Sequence, residues 1–148
     1  MHLRSLILVL AGTALFLPST FAQKVIYNPG YSAKSHEYLE VKKIELYDTV
    51  TVLKFEVRYK PGWWIQVKTD ETFIQDHKGG ERFYVLRAEG IELNQKHTTP
   101  ESGLNRYTLY FPPLGSSVEM IDFMEGQWKI IELELVPREH ITFFPERI

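Results

Sequence analysis

The chain has 148 residues, with 17 Lys and Arg against 19 Asp and Glu, and no cysteine. This slightly acidic balance lacks the basic footprint of a nucleic-acid binder. The lack of cysteine excludes disulfides, thiol catalysis, thiolate metal sites and thiol redox couples.

In chain order, the first feature is a leader. A positive start that includes Arg4 precedes an apolar run over residues 6–17, and PSTFA then supplies a helix breaker and small residues before a cut after Ala22. The apolar run is shorter than the roughly 20 residues that a membrane span needs, so the pattern predicts a secretory signal peptide over residues 1–22. With no cysteine after the cut, lipid anchoring through an N-terminal Cys is excluded, and no later stretch is apolar enough to span a membrane. The expected product is exported, to the periplasm or the medium. Removing 22 of 148 residues leaves 126, enough for one domain with a real core. Subtracting Arg4 from the 17 basic residues leaves 16 against 19 acidic ones.

Residues 23–40 mix Ser, Lys and Tyr without a period, with a turn signal at Asn28-Pro29-Gly30, and read as an N-terminal arm. A first strand is expected over residues 41–47. The stretch that organises the rest is TVLKFEVRYKPGWWIQV, residues 51–67, in which Leu53, Phe55, Val57 and Tyr59 alternate with Lys54, Glu56 and Arg58. That period marks a strand with one buried and one wet face. Pro61-Gly62 then reverses the chain into a second strand that opens on Trp63-Trp64, with one of the two indoles expected inside.

Residues 73–75 and 82–88 read as a hairpin around Gly79-Gly80, and Ile91 with Leu93 as a short strand. Residues 94–105 have no period and read as a structureless loop. Strands return over residues 106–111, 118–124 and 127–136, with Ile131, Leu133 and Leu135 facing inward in the last. Seven or eight short strands with Pro and Gly punctuation predict an all-β, immunoglobulin-like Greek-key β-sandwich over residues 41–136, with a small β-barrel as the alternative. The tail, residues 137–148, carries Ile141, Phe143 and Phe144. It is expected to fold back over the sandwich or to add a strand to a neighbouring chain.

Candidate chemistry is sparse. His36, His77, His97 and His140 lack the spacing of a metal site, and no Gly-centred calcium loop is present. Ser102 lacks a nucleophile elbow and suits a local turn. These features imply no catalytic residue, metal or cofactor. Of the two tryptophans, the outer one offers a stacking platform for a sugar ring or a partner's side chain, or else packs under the loop at residues 94–105.

Four pieces resemble a known family: Pro61-Gly62-Trp63-Trp64-Ile65, Ala88-Glu89-Gly90-Ile91, Pro100-Glu101-Ser102-Gly103 and Ile121-Asp122-Phe123-Met124-Glu125-Gly126. The run from Val41 to Val136 is similar to the N-terminal β-sandwich module of secreted thioredoxin-like proteins of Gram-negative anaerobes. In that family the redox chemistry belongs to the following domain and its Cys-x-x-Cys pair, which this cysteine-free chain does not carry over. The resemblance therefore implies the accessory module alone.

The expected function is an exported, non-catalytic module for binding or protein interaction in the cell envelope, with a protein or another envelope component as partner. Its site is expected in loops 61–64, 94–105 and 125–127, with Trp63, Trp64, His97, Glu101, Ser102 and Glu125 as binding residues. Two other classes stay open: a small envelope hydrolase with a loop-built carboxylate or metal site, and a purely structural or assembly component.

Overall fold

The computed structural model describes Ala22 and residues 24–136; the rest of the expected leader and the tail 137–148 lie outside the described residues. Within them are strands β1 (Lys24–Tyr27), β2 (Ala33–Lys34), β3 (Leu39–Leu46), β4 (Thr51–Arg58), β5 (Trp64–Ile65) and β6 (Thr72–Asp76). They continue as β7 (Arg82–Tyr84), β8 (Arg87–Glu89), β9 (His97–Thr98), β10 (Leu104–Phe111), β11 (Met120–Glu125) and β12 (Trp128–Glu134). None of the described residues is helical.

One sheet runs β1-β3-β4-β10-β8 and the other β2-β12-β11-β6-β7, with β5 and β9 forming a small third sheet. All pairings are antiparallel. Among the described residues both large sheets have free edges, so the architecture is a sandwich and not a closed barrel. With β3, β4, β10 and β8 as strands A, B, E and D, and β6, β11 and β12 as C, F and G, the order is that of an immunoglobulin-like sandwich. Strand β7 takes the C′ place beside C. The two central pairings, β4 with β10 and β6 with β11, interlock along the chain, which is the Greek-key crossing.

The core is built where alternation demanded it. Leu53, Phe55 and Val57 of β4 are buried, as are Tyr107, Leu109 and Phe111 of β10 opposite them. Phe55 stacks on Tyr107 at 5.2 Å and meets Phe123 of the other sheet at 4.8 Å, so one ring ties both layers. Tyr59 is only half-buried, because it lies one residue past the end of β4.

Four expectations are corrected. First, residues 24–40 are not a loose arm: β1 lies on the outer edge of one sheet beside β3, and β2 on the edge of the other beside β12. Edge strands this short show little period, and only Ile26 of β1 reaches the core. Second, the strand expected over residues 82–88 is two strands. After Tyr84 the chain passes between layers, with Val85 N–H on Thr72 O and Leu86 N–H on Tyr110 O, and re-forms as β8 on the opposite sheet. Third, Ile91 and Leu93 form no strand, although Ile91 is buried. Fourth, Ile130 and Leu133 share the core face and Ile131 does not.

This last shift comes from a bulge. The register steps from Ile121↔Leu133 to Phe123↔Ile130, leaving Asp122 opposite two residues of β12. Glu132 takes a φ of 57°, and its N–H is held by Asp122 Oδ1 at 3.0 Å. His77 locks the same spot, with Nδ1 3.0 Å from Asp122 and Nε2 3.4 Å from Glu132. Gly90 marks a second close approach: at φ 82° an added Cβ would lie 2.7 Å from the Arg106 carbonyl oxygen.

Truncating the ring that joins the layers, Phe55→Ala, is expected to cost about 3–5 kcal/mol in a urea titration, through lost burial and the cavity left behind. A loss below about 1 kcal/mol would mean that this ring does not tie the sheets.

Candidate functional site

The end of β4, the start of β6 and the turn between β11 and β12 meet at one end of the sandwich. Between them lies an open cavity of about 820 Å³, lined by Tyr59, Gly62, Trp63, Trp64, Ile65, Gln66, Lys68, Glu71, Glu125, Gly126, Gln127 and Trp128. The local sequence explains each wall. Gly62 adopts φ 82°, which lets the chain turn with Trp63 N–H on Lys60 O at 3.0 Å. Ile65 then points inward and is buried, which sends Trp64 outward.

Both tryptophans are about half exposed, Trp63 at 53% and Trp64 at 51%. The expectation of one indole inside is thus corrected. Trp63 precedes β5 within the turn, so strand alternation does not govern it, and the inward place falls to Ile65.

The segment that carries them is stiff. Residues 94–105, expected as a structureless loop, pair with it through β9: Trp64 faces Thr98 and Ile65 faces His97. Thr99 N–H donates to Trp63 O at 2.7 Å, Gly62 N–H to Thr99 O at 3.0 Å and Tyr59 N–H to Gly103 O at 2.9 Å. The buried Asn105 amide donates to Val57 O and Thr99 Oγ1. At the far end, Asn94 Oδ1 accepts from Thr69 N–H at 3.0 Å, and Gln66 donates to Asn94 O at 3.0 Å. The loop is a brace for the tryptophan segment.

The candidate residues therefore separate. Trp63, Trp64 and Glu125 line one cavity. His97 is half-buried on β9, behind the tryptophan strand. Glu101 and Ser102 are exposed on the adjoining turn, where Ser102 Oγ accepts the Leu104 N–H at 3.3 Å. None of these three lines the cavity.

Sequence reasoning missed Tyr59 and Trp128 as site residues. They form a continuous ridge of rings: Trp63 lies 6.0 Å from Tyr59, Tyr59 5.6 Å from Trp128, and Trp128 4.6 Å from His36. Beyond the ridge, Tyr59 and Trp128 also line a second hollow of about 490 Å³ with Ser35, His36, Glu37, Tyr38, Leu39, Val57, Arg58 and Lys60. The available signal was positional. Trp128 follows the turn at Gly126-Gln127, which the strand order brings to the same end as Pro61–Trp64.

Glu125 gives the cavity its electrostatic character. As the last residue of β11 it sits opposite Thr72 on one side and Trp128 on the other, and it is 7% exposed. Burial pushes its carboxyl up to about 8, while the O–H of Tyr107, 3.5 Å away on the opposite sheet, pulls the other way. At neutral pH this carboxyl is protonated and so both donates and accepts hydrogen bonds. Burial and the Glu125 carboxyl together raise the Tyr107 phenol well above its usual range.

Among the described residues no group of three or more His, Asp or Glu side chains could hold a metal ion, and no helix could cross a membrane. No protein-family model, curated protein or solved structure matches this chain.

The Glu125 carboxyl makes stability pH-dependent. Between its ordinary value of 4.5 and its folded value of about 8, the folded chain keeps a proton that the unfolded chain has released. Stability contributed by this group is full below 4.5 and is lost as pH rises toward 8, at about 1.4 kcal/mol per pH unit. The variant Glu125→Gln, neutral throughout, should therefore gain on the wild type between pH 5 and pH 7.5 in urea titrations. Parallel stabilities for the two proteins would show that the carboxyl is not buried as described.

Proposed function

We propose that this chain is an exported, non-catalytic β-sandwich module that binds a saccharide in the aromatic cavity at the end of the sandwich. The observation that carries the reading is the joining of Trp63, Trp64, Tyr59 and Trp128 around one open cavity with Gln66, Gln127 and the protonated Glu125. Half-exposed rings on a braced backbone offer flat apolar faces at little entropic cost. The side-chain amides and the neutral carboxyl supply paired donors and acceptors, which matches the vicinal hydroxyls of a sugar ring.

A concave site with a few converging polar groups is the usual form of a ligand site. The immunoglobulin-like sandwich, with connecting loops gathered at one end, is a frame on which binding surfaces are commonly carried. The leader-like start agrees with export.

The test is retention of the purified chain on immobilised polysaccharides, followed by calorimetry and mass analysis of a bound oligosaccharide. The wild type should bind and return the oligosaccharide intact. Trp63→Ala and Trp64→Ala should each weaken binding by about tenfold or more, in keeping with loss of a central aromatic anchor. Wild-type affinity in both variants would move the site elsewhere, and a cleaved oligosaccharide would make the protein a hydrolase.

A further inference from the structure

The cavity and the hollow beyond the Tyr59–Trp128 ridge hold cations beside their aromatic rings, in a chain whose formal net charge is −2. In the larger one, Lys68 and Glu71 answer each other at 3.9 Å, and Glu125 is neutral. In the second, Arg58 and Lys60 stand against Glu37. Lys60 Nζ lies 4.8 Å over the Trp63 ring, and Lys96 Nζ lies 4.6 Å over the Trp64 ring.

Arg58, Lys60 and Lys96 form no ion pair within 4.0 Å among the described residues, and the same holds of Lys24, Lys34, Lys78, Arg82 and Lys129; what sets Lys60 and Lys96 apart is their place over the two exposed indoles. Each exposed tryptophan thus carries an ammonium over its ring, Lys60 at Trp63 beside the second opening and Lys96 at Trp64.

Resting on the saccharide reading above, we propose that the ligand is an acidic oligosaccharide: a chain of sugar rings carrying carboxylate or sulfate groups, laid across the ridge so that it occupies both openings. The rings of Trp63, Trp64 and Trp128 take the sugar faces. Lys60 and Arg58 at the second opening and Lys96 beside Trp64 take the anionic groups. A neutral sugar would use the rings but leave these cations unanswered. A cation over a ring face is held only weakly in water, so each ammonium is free to swing to an anion that arrives beside the indole. The neutral state of Glu125 removes the repulsion that a buried carboxylate would otherwise exert on such a ligand. The neighbouring hollow, which shares Tyr59 and Trp128 with the cavity, supplies the length for more than one ring.

The test is calorimetry on the purified full chain with four probes: a uronic-acid hexasaccharide, its carboxyl-reduced neutral counterpart, a sulfated form of that counterpart, and a single-stranded oligonucleotide of similar charge. The uronate or the sulfated form should bind about tenfold more tightly than the neutral form at low salt, through two or three solvent-exposed charge contacts, and the advantage should shrink as salt is added. Whichever of the two binds better identifies the anionic group. The double variant Lys60→Gln, Lys96→Gln should bind the acidic and neutral forms alike, and an unchanged midpoint in a urea titration shows that it is folded. Trp64→Ala should weaken every saccharide alike.

Equal binding of acidic and neutral forms, with loss in Trp64→Ala, would overturn the acidic class and leave the saccharide site standing. Tighter binding of the oligonucleotide than of any saccharide would overturn both, and so would the absence of binding by all three saccharides.

Discussion

The structure depends on the contact between Phe55 and Phe123, the meeting point of two strands that are each the centre of a sheet. Phe55 lies on β4, which pairs with β3 on one side and β10 on the other, and Phe123 lies on β11 between β6 and β12. With no disulfide to join the layers, burial of such rings is what holds them face to face. The Tyr107–Glu125 contact repeats the bridge with polar atoms one step nearer the end of the sandwich. There the core gives way to the open cavity, and the Glu125 carboxyl is at once the last buried group of the interior and the floor of the candidate site.

The site follows from the way the chain crosses between layers. Strand β4 ends at Arg58, so Tyr59 and the tryptophan turn project past the sheet. The chain must still travel to β6 in the opposite layer, and that path exposes the indoles instead of burying them. What keeps the path from collapsing is the segment before β10, which pairs with it through β9 and the backbone bonds of Thr99 and Gly103. The turn from β11 to β12 then closes the cavity on its other side, with Gly126 N–H on Glu71 O at 3.3 Å.

Much of the sandwich was legible because half-buried strands impose a period of two, as in β4, where Leu53, Phe55 and Val57 are buried as the alternation predicts. What was not legible has specific causes. Strands β2, β5 and β9 have two residues each, too few for any period. In β12 the bulge at Glu132 breaks the alternation, and its cause, the Asp122 side chain, sits on another strand. Trp63 obeys a turn and not a strand. Of the candidate site, Trp63, Trp64 and Glu125 were legible as residues at one end of the sandwich. Tyr59 and Trp128 were not, because their closeness depends on how the two layers register. The alternation of β11 puts Glu125 on the inward face with Ile121 and Phe123, but a carboxylate at the last strand position beside a glycine turn reads equally well as a solvated end.

The interlocked pairing also bears on how the molecule forms. Strand β4 must wait for β10, and the tryptophan segment for β9, with some thirty or more intervening residues in each case. Such distant partners carry a large loop-closure cost, and chains of this topology fold in the slower range for small domains. The central sheets can pair and bury their rings before the short β5–β9 contact has closed. The cavity, however, exists only after that contact is made. Trp63 and Trp64 take up their places only with that contact, so a chain that lacked it would have its paired sheets but no place for a ligand.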